Sequence, residues 1–208
     1  MLLIHVKEII KDIIMVSSFN VVDIVRKCYK NAAVKDILKM EKECSFTTYS
    51  HSIAAAIYSA MILKEYCVEE SFIENVVAGA LIHDVGKIVV AKEILEKKDK
   101  LTPTEINKIH KHPVKGYELV KGVFGEIPEN TVLLHHEKLD GSGYPYGITE
   151  IPFYVQAVTV ADMYDALTSS RSYKKAYSHE TAVDILRGDA QRGKLSTDVV
   201  EIINNIRK

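Results

Sequence analysis

The sequence places a set of imidazole and carboxylate groups at predicted helix ends and on apolar helix faces. The set is His51, His83, Asp84, His112, His135, His136 and Asp162. Burying such groups is costly unless a partner holds them. A lone buried histidine is usually a satisfied core residue, but seven such groups are hard to satisfy in pairs. Because nitrogen and oxygen donors together suit divalent cations, the pattern predicts a metal site.

The set contains two adjacent pairs, His83-Asp84 and His135-His136. Neighbouring side chains on an α-helix point about 100° apart, so each pair suits two ions better than one shared ion. Asp84 has two carboxylate oxygens and could bridge both ions. The set lacks a thiolate, which favours iron, manganese or similar ions over a structural zinc. The simpler alternative for Asp84 is a salt bridge to nearby Lys87.

The elements that must position this set are predicted to be helices nearly throughout, which gives an all-α fold. Strand-like alternation is scarce, and the prolines and glycines fall between periodic segments. Ser71 with Glu74, and Thr102 with Glu105, have the spacing of a capping box at a helix start. Helices are predicted over 2–16, 20–30, 33–42, 49–66, 71–85, 103–112, 113–122, 129–137, from Pro152 onward, 179–187 and 197–207. The first three contain no ionisable group of interest.

Composition and charge narrow the class of protein. The 208 residues, 47% hydrophobic and 26% charged, are typical of one soluble globular domain, with or without a short appendage. The formal net charge of -1 gives no basic field for a long nucleic acid. Charges interrupt the apolar segment 1–16, and the uncharged stretch 53–63 is too short to cross a bilayer. Cys28, Cys44 and Cys67 form no CxxC pair, which favours a reducing, cytoplasmic location.

Three segments, in this order, carry a family resemblance: HDVGK at 83–87, HHEKLDGSGYP at 135–145 and ADMYDALTSSRSYKKA at 161–176. Together with His51 and His112-Pro113, they resemble the HD-GYP family. These are bacterial phosphodiesterases of the HD superfamily that degrade cyclic di-GMP. The resemblance covers residues 43–208 and leaves 1–42 as an N-terminal helical segment. It implies an HD-superfamily helical bundle with a central metal site.

The resemblance also implies roles for individual residues. The metal ligands would be the seven groups already named, holding two divalent ions, iron or else manganese, with Asp84 as the bridge. Asp84 and Lys87 would be catalytic, with Lys87 facing the scissile phosphate. The residues that bind substrate would be Lys87, Tyr144, Arg171 and Lys174. The reaction would be attack by a metal-bridging hydroxide on cyclic di-GMP, giving pGpG, with GMP as a further product left open.

Cyclic di-GMP is accordingly the expected small-molecule partner. The resemblance leaves open a GGDEF-type or other signalling protein as a partner, and a homodimer. Neither a long nucleic acid nor a membrane is expected as a partner. His5, His110 and His179 stay outside the metal set and are predicted to be surface residues.

The sequence departs from the family pattern at three places. Members with three metals have a glutamate one helical turn before the first histidine, where this chain has Thr47, so two metals are predicted. The loop 146–150 looks shorter than usual and lacks a second glycine, and Gln156 stands where an arginine is common. Two alternatives therefore stay open. One is a cyclic di-GMP receptor without turnover, and the other is an HD phosphohydrolase of another cyclic dinucleotide such as cyclic GMP-AMP.

Overall fold

The computed structural model describes residues 20–97, 99–170 and 175–206. These residues form eleven α-helices and one 3-10 helix, with no strand among them. The helices are α1 (Asn20–Lys30), α2 (Ala32–Cys44), α3 (Phe46–Glu65), α4 (Glu70–Ile82), α5 (Lys92–Leu95), α6 (Pro103–Ile109), α7 (His112–Val120), α8 (Glu126–Leu134), α9 (Phe153–Thr168), α10 (His179–Gln191) and α11 (Thr197–Asn205). The 3-10 helix, Val85–Val89, lies between α4 and α5. The predicted all-α class is confirmed, while the predicted helix 2–16 lies outside the described residues.

The long helix α3 packs against both α4 and α9 and forms the centre of the bundle. Its alanines Ala54, Ala55, Ala56 and Ala60 are fully buried, and their small side chains let neighbouring helices approach closely. A helix that is apolar on all sides belongs in a core. Outside this centre, α4 packs on α8, α8 on α7, and α7 on the 3-10 helix. The helices α10 and α11 pack on each other and on α9.

The first two described helices belong to the same hydrophobic core as the rest of the bundle. Val21 and Ile24 of α1, and Val34 and Leu38 of α2, are buried within it. Both helices pack against α3 and α4. The domain boundary after residue 42 stays a prediction.

Of the two capping boxes predicted, only one forms. Thr102 accepts a hydrogen bond from the Glu105 backbone N–H, and the Glu105 carboxylate accepts one from the Thr102 backbone, as predicted. At the start of α4 the prediction is wrong, because the helix begins at Glu70 without a side-chain cap. Glu74 instead pairs with Lys27 of α1, so it is not available to reach back to the helix start.

Gly86 allows the 3-10 helix to lie directly on α7. A Cβ atom at this position would lie 2.0 Å from the His112 carbonyl oxygen and 2.6 Å from the Gly116 nitrogen. No larger residue fits without moving one of these backbones. This contact brings Asp84, two residues before Gly86, next to His112 at the start of α7.

No helix in the described part of the chain is both long and apolar enough to cross a membrane. The three cysteines are free thiols. Cys28 is buried, Cys44 is half-buried and Cys67 is exposed.

Candidate metal centre

All seven predicted ligands lie in one pocket, where they form two groups. Asp84, His112, His135 and His136 form the first, and His51, His83 and Asp162 form the second. Within each group one donor atom from every residue lies within 4.8 Å of the others. We call these seven residues the metal cluster. All are buried except His136, which is half-buried.

Asp84 lies between the two groups. Its Oδ1 atom is 3.2 Å from His112 Nε2 and 3.9 Å from His135 Nε2, both in the first group. Its Oδ2 atom is 3.6 Å from His83 Nε2 in the second group. A carboxylate that faces one set of imidazoles with each oxygen has the geometry of a bridge. Asp162 makes a second connection, with Oδ1 at 3.9 Å from His83 Nε2 and Oδ2 at 4.0 Å from His136 Nδ1.

Three of the histidines are oriented by the same local hydrogen bond. The Nδ1 atoms of His83, His112 and His135 donate to backbone carbonyl oxygens three residues earlier, at 2.7, 2.8 and 2.9 Å respectively. With the proton on Nδ1, the Nε2 atom of a neutral ring carries a lone pair and can accept a metal ion. The backbone at the end of a helix therefore sets the tautomer and aims the donor atom.

The positions of these donor atoms are better explained by a bound cation than by hydrogen bonds among the side chains themselves. His112 Nε2 and His135 Nε2 are only 3.1 Å apart, although both rings give their Nδ1 proton to a carbonyl. Burial lowers the pKa of His135 well below its usual range, so its ring is neutral. His83 Nε2 is buried and has no hydrogen-bond partner. Lone pairs facing each other, and an unpartnered buried acceptor, are what a shared divalent cation would satisfy.

His51 is oriented differently, by two carboxylates of α9. Its Nε2 atom is 2.7 Å from Asp162 Oδ1, and its Nδ1 atom is 2.5 Å from Asp165 Oδ2. Burial alone would lower the pKa of His51, but the hydrogen bonds to Asp162 and Asp165 outweigh it and raise the pKa to about 9. Asp165 is itself buried and accepts a hydrogen bond from Ser169 Oγ at 2.8 Å. Asp165, which the sequence analysis did not single out, fixes the ring of His51.

Lys87 lies beside the metal cluster and pairs with the Asp84 carboxylate. Lys87 Nζ is 2.5 Å from Asp84 Oδ2. Burial would raise the pKa of Asp84, but Lys87, His83 and His112 together lower it well below its usual range. The salt bridge weighed in the sequence analysis is therefore present. The ammonium group remains half-buried at the pocket, where it could also meet an anionic ligand.

The glycine-rich segment 140–147, which we call the rim loop, is tied by its backbone to the end of α8. The buried Glu137 carboxylate accepts hydrogen bonds from the backbone N–H groups of Tyr146, at 2.7 Å, and Gly147, at 3.0 Å. The Tyr144 N–H donates to the His136 carbonyl at 3.2 Å. Gly143 lies so close to Glu137 that a Cβ atom would be 2.4 Å from the Glu137 Cα atom. Glu137 is a second residue that sequence reasoning quoted but gave no role.

The ring of Tyr144 contacts the metal cluster, while its predicted role in binding substrate stays a prediction. Its ring stacks on that of His136 with centroids 4.6 Å apart and an interplanar angle of 24°. The ring of His110 also stacks on that of Tyr144, with centroids 4.2 Å apart and an interplanar angle of 13°. His110 is exposed, as predicted, but it belongs to the pocket rim. The predicted substrate residues Arg171 and Lys174 lie outside the described residues, as does His5.

The structure also describes Thr47 and Gln156, two positions at which the sequence departs from the family pattern. Thr47 is exposed and belongs to neither group of the metal cluster. Gln156 donates from Nε2 to the Ile151 carbonyl at 2.8 Å and so holds the segment before α9. His179 is half-buried and bonds through Nδ1 with the Tyr164 hydroxyl at 2.8 Å, so its prediction as a surface residue is wrong.

Glu41 is a buried acid that the sequence analysis missed when it found no ionisable group of interest in α2. Its side chain is 1% exposed, its Oε2 atom accepts from Ser52 Oγ at 3.0 Å, and its Oε1 atom has no hydrogen-bond partner. Burial and the nearby negative charge of Asp84 raise its pKa to about 8. The signal was present in the spacing, because Glu41 continues the buried stripe of Val34 and Leu38.

An all-helical core with histidine and aspartate side chains gathered at helix ends defines a domain suited to bind divalent cations. Comparison with known families gives the particular one: the family model described as HD domain matches residues 32–199. This chain therefore belongs to the HD-domain family.

Curated relatives support the HD-GYP resemblance. The cyclic di-GMP phosphodiesterase response regulator RpfG of Xanthomonas campestris is 38% identical over 142 residues, which cover 66% of this chain and 37% of that protein. A cyclic di-GMP phosphodiesterase of Thermotoga maritima is 34% identical over 182 residues, 84% of this chain and 49% of that protein. The 3'3'-cGAMP-specific phosphodiesterase 1 of Vibrio cholerae is 31% identical, with 75% of this chain and 37% of that protein covered. The chain thus spans between a third and a half of these relatives.

Solved structures show the same fold. The protein Bd1817 of Bdellovibrio bacteriovorus, described as an HDG"Y"P protein, has a TM-score of 0.64 at 23% identity, covering 76% of this chain and 51% of that one. The HD domain of the Listeria monocytogenes phosphodiesterase PgpH, in complex with cyclic-di-AMP, has a TM-score of 0.61 at 18% identity, covering 83% and 93%. At these identities the likeness concerns the fold alone.

Proposed function

We propose that this chain is a metal-dependent phosphodiesterase that hydrolyses cyclic di-GMP to pGpG. The observation that carries the proposal is Asp84, whose two oxygens face two separate groups of nitrogen and oxygen donors. The names of the relatives support the substrate class, since several are called cyclic di-GMP phosphodiesterases.

The seven residues of the metal cluster would hold two divalent cations, iron or else manganese, with Asp84 shared between them. Bound cations of this kind neutralise phosphate charge and activate water for in-line attack on phosphorus. Carboxylate and imidazole donors without thiolate fit such ions. Thr47, being exposed and outside both groups, supports the proposed number of two metals.

The protein's own groups would position the phosphodiester. The Lys87 ammonium, which pairs with Asp84, lies where it can also contact a non-bridging phosphate oxygen and offset its charge. Tyr144 and the rim loop lie over the His136 side of the metal cluster and limit how a ligand can approach. Arg171 and Lys174 stay proposed as cations that hold the ligand.

The decisive experiment is a product assay on protein loaded anaerobically with Fe²⁺ or with Mn²⁺. Incubation with cyclic di-GMP should give pGpG on chromatography, with chelator-treated protein as the control. Elemental analysis of the same samples should find two metal ions per chain. If neither metal supports turnover while the ligand still binds, the chain is a receptor and the hydrolase proposal fails.

A second substrate deserves a parallel assay because relatives in Vibrio cholerae are named 3'3'-cGAMP-specific phosphodiesterases. Rates on cyclic di-GMP and on 3'3'-cGAMP, measured side by side, would choose between them. Faster hydrolysis of 3'3'-cGAMP would support the proposed phosphodiester hydrolysis but would make 3'3'-cGAMP, and not cyclic di-GMP, the preferred substrate. A GGDEF-type or other signalling partner, and a homodimer, stay predictions.

A further inference from the structure

Three aromatic rings form a continuous stack from the metal cluster to the protein surface. The ring of Tyr144 lies nearly parallel to His136, at 4.6 Å and 24°, and nearly parallel to His110, at 4.2 Å and 13°. His136 in turn contacts His135 at 4.2 Å and His112 at 5.0 Å. The stack therefore starts among the cluster histidines and ends at His110.

Tyr144 lies in the middle of this stack, so its faces are already used. Among the ring contacts of the described residues, His110 and His136 each meet Tyr144 but not one another. Two rings lying parallel on one face of Tyr144 would touch each other, so they cover opposite faces. Tyr144, predicted as a substrate-binding residue, therefore has no open face on which a nucleobase could stack.

The outer end of the stack has the free surface that Tyr144 lacks. His110 is exposed and sits at the C-cap of α6, two residues before the cluster residue His112. Its inner face is held by Tyr144, whose backbone is fixed in turn by the His136 carbonyl. The His110 ring is thus held by stacking on its inner face, while the side chain as a whole stays open to solvent.

We propose that His110 binds substrate by stacking its outer face on a purine base of a cyclic dinucleotide whose phosphodiester lies at the metal cluster. The inference rests on the proposed function for the class of ligand. Histidine rings stack on nucleobases, and such a stack tolerates different bases because every base has a π-face. His110 therefore adds affinity for a cyclic dinucleotide without selecting guanine over adenine.

Steady-state kinetics of His110→Ala and His110→Phe test the proposal. Removal of the ring should raise KM for the cyclic dinucleotide by roughly 5- to 150-fold, the range for loss of one base–aromatic stack. The phenyl ring of His110→Phe should restore KM to within about threefold of the wild type, since stacking is retained. Both variants should keep kcat and the metal content of the wild type. Ile106→Ala is the matched control, because Ile106 is on α6, one helical turn before His110, and is 39% exposed.

A fluorescent probe gives a readout that does not depend on turnover. A cyclic dinucleotide carrying 2-aminopurine in place of one guanine should lose fluorescence on binding to the wild type and to His110→Phe, but not to His110→Ala. Quenching without hydrolysis would support the stacking site and overturn the hydrolase. Hydrolysis with an unchanged KM in His110→Ala, or a fall in metal content and kcat alone, would overturn the stacking site and leave the hydrolase standing.

Discussion

In the metal cluster, hydrogen bonds hold individual side-chain atoms. In the rim loop, hydrogen bonds hold the backbone, and the side chains project from it. Four of the five cluster histidines, all except His136, are held at Nδ1 by helix-end carbonyls or by Asp165, which leaves Nε2 to act. The rim loop is held by Glu137 through the N–H groups of Tyr146 and Gly147. In the proposed phosphodiesterase, the cluster would therefore determine whether hydrolysis occurs and the rim would determine what binds.

The largest effect should follow loss of the shared carboxylate. Asp84→Ala removes the oxygens that face both groups and leaves Lys87 without its partner. We expect metal content and turnover to fall below detection, as measured by elemental analysis and product chromatography. Asp198→Ala, an exposed aspartate of α11, is the control and should change neither. Persisting turnover in Asp84→Ala would show that the cluster does not depend on a bridge.

Lys87→Ala should separate metal binding from chemistry. Its ammonium pairs with Asp84 but belongs to neither donor group, so both metals should remain. Loss of one charge-stabilising donor typically slows a reaction by about 10²-fold. The prediction is checked by kcat at saturating cyclic di-GMP beside elemental analysis. Metal lost together with activity would make Lys87 a structural part of the cluster.

Asp165→Asn tests whether the groups behind the ligands contribute to the cluster. The asparagine can still accept from His51 Nδ1 but has no negative charge to hold the ring. Changes of this kind typically weaken metal binding by roughly 10- to 100-fold. Metal titration measures the loss. Ser169→Ala, which removes the hydrogen bond from Oγ to Asp165 Oδ1 and leaves the Asp165 carboxylate in place, should have a smaller effect.

Glu137→Gln should alter the rim and spare the cluster. A glutamine keeps one acceptor oxygen but turns an NH₂ group toward the Gly147 N–H. We expect KM to rise while metal content stays constant, with a stability loss of about 1 kcal/mol. Glu129→Gln is a matched control, because Glu129 holds the loop 122–125 in the same way, through three backbone N–H groups. An equal rise in KM there would mean that the effect is general loosening.

Glu41→Gln should change stability alone, and only at higher pH. The pKa of Glu41 is about 8 in the folded protein against 4.5 ordinarily, so the folded state holds an extra proton between these values and stability falls as pH rises through them. Glutamine stays neutral. Chelator-treated variant and wild type should therefore melt alike near pH 5, and the variant should melt higher at pH 8. Glu43→Gln, exposed on the same helix, controls for surface charge; a pH-independent difference at Glu41 would contradict the prediction.

Much of the cluster could be predicted from sequence because helical periodicity places its members on inward faces or at helix ends. His83 and Asp84 continue the buried stripe of Val76, Val77 and Ala80, which is visible in the sequence. Asp165 could have been found in the same way, since it lies one helical turn after Asp162.

The rim could not be predicted in this way. The stack of His110 on Tyr144 joins the end of α6 to a loop more than thirty residues later, and no periodic pattern relates the two. In the sequence, Glu137 resembles an ordinary acid at a helix end, and its role depends on the loop that folds back over it. The failed capping box at Ser71 has a similar cause, because the partner that holds Glu74 comes from a distant helix.

The repeated bond from a histidine Nδ1 to a carbonyl three residues earlier has a consequence for assembly. Each of these three rings is aimed by a hydrogen bond to the helix-end backbone just before it and not by a distant helix. An incoming ion therefore finds its imidazoles already facing inward, and little rotamer freedom is left to lose on capture. Substituting one of these histidines should then affect mainly metal binding at the cluster. Unwinding the helix turn that supplies the carbonyl should misdirect the donor atom even when every cluster residue is intact.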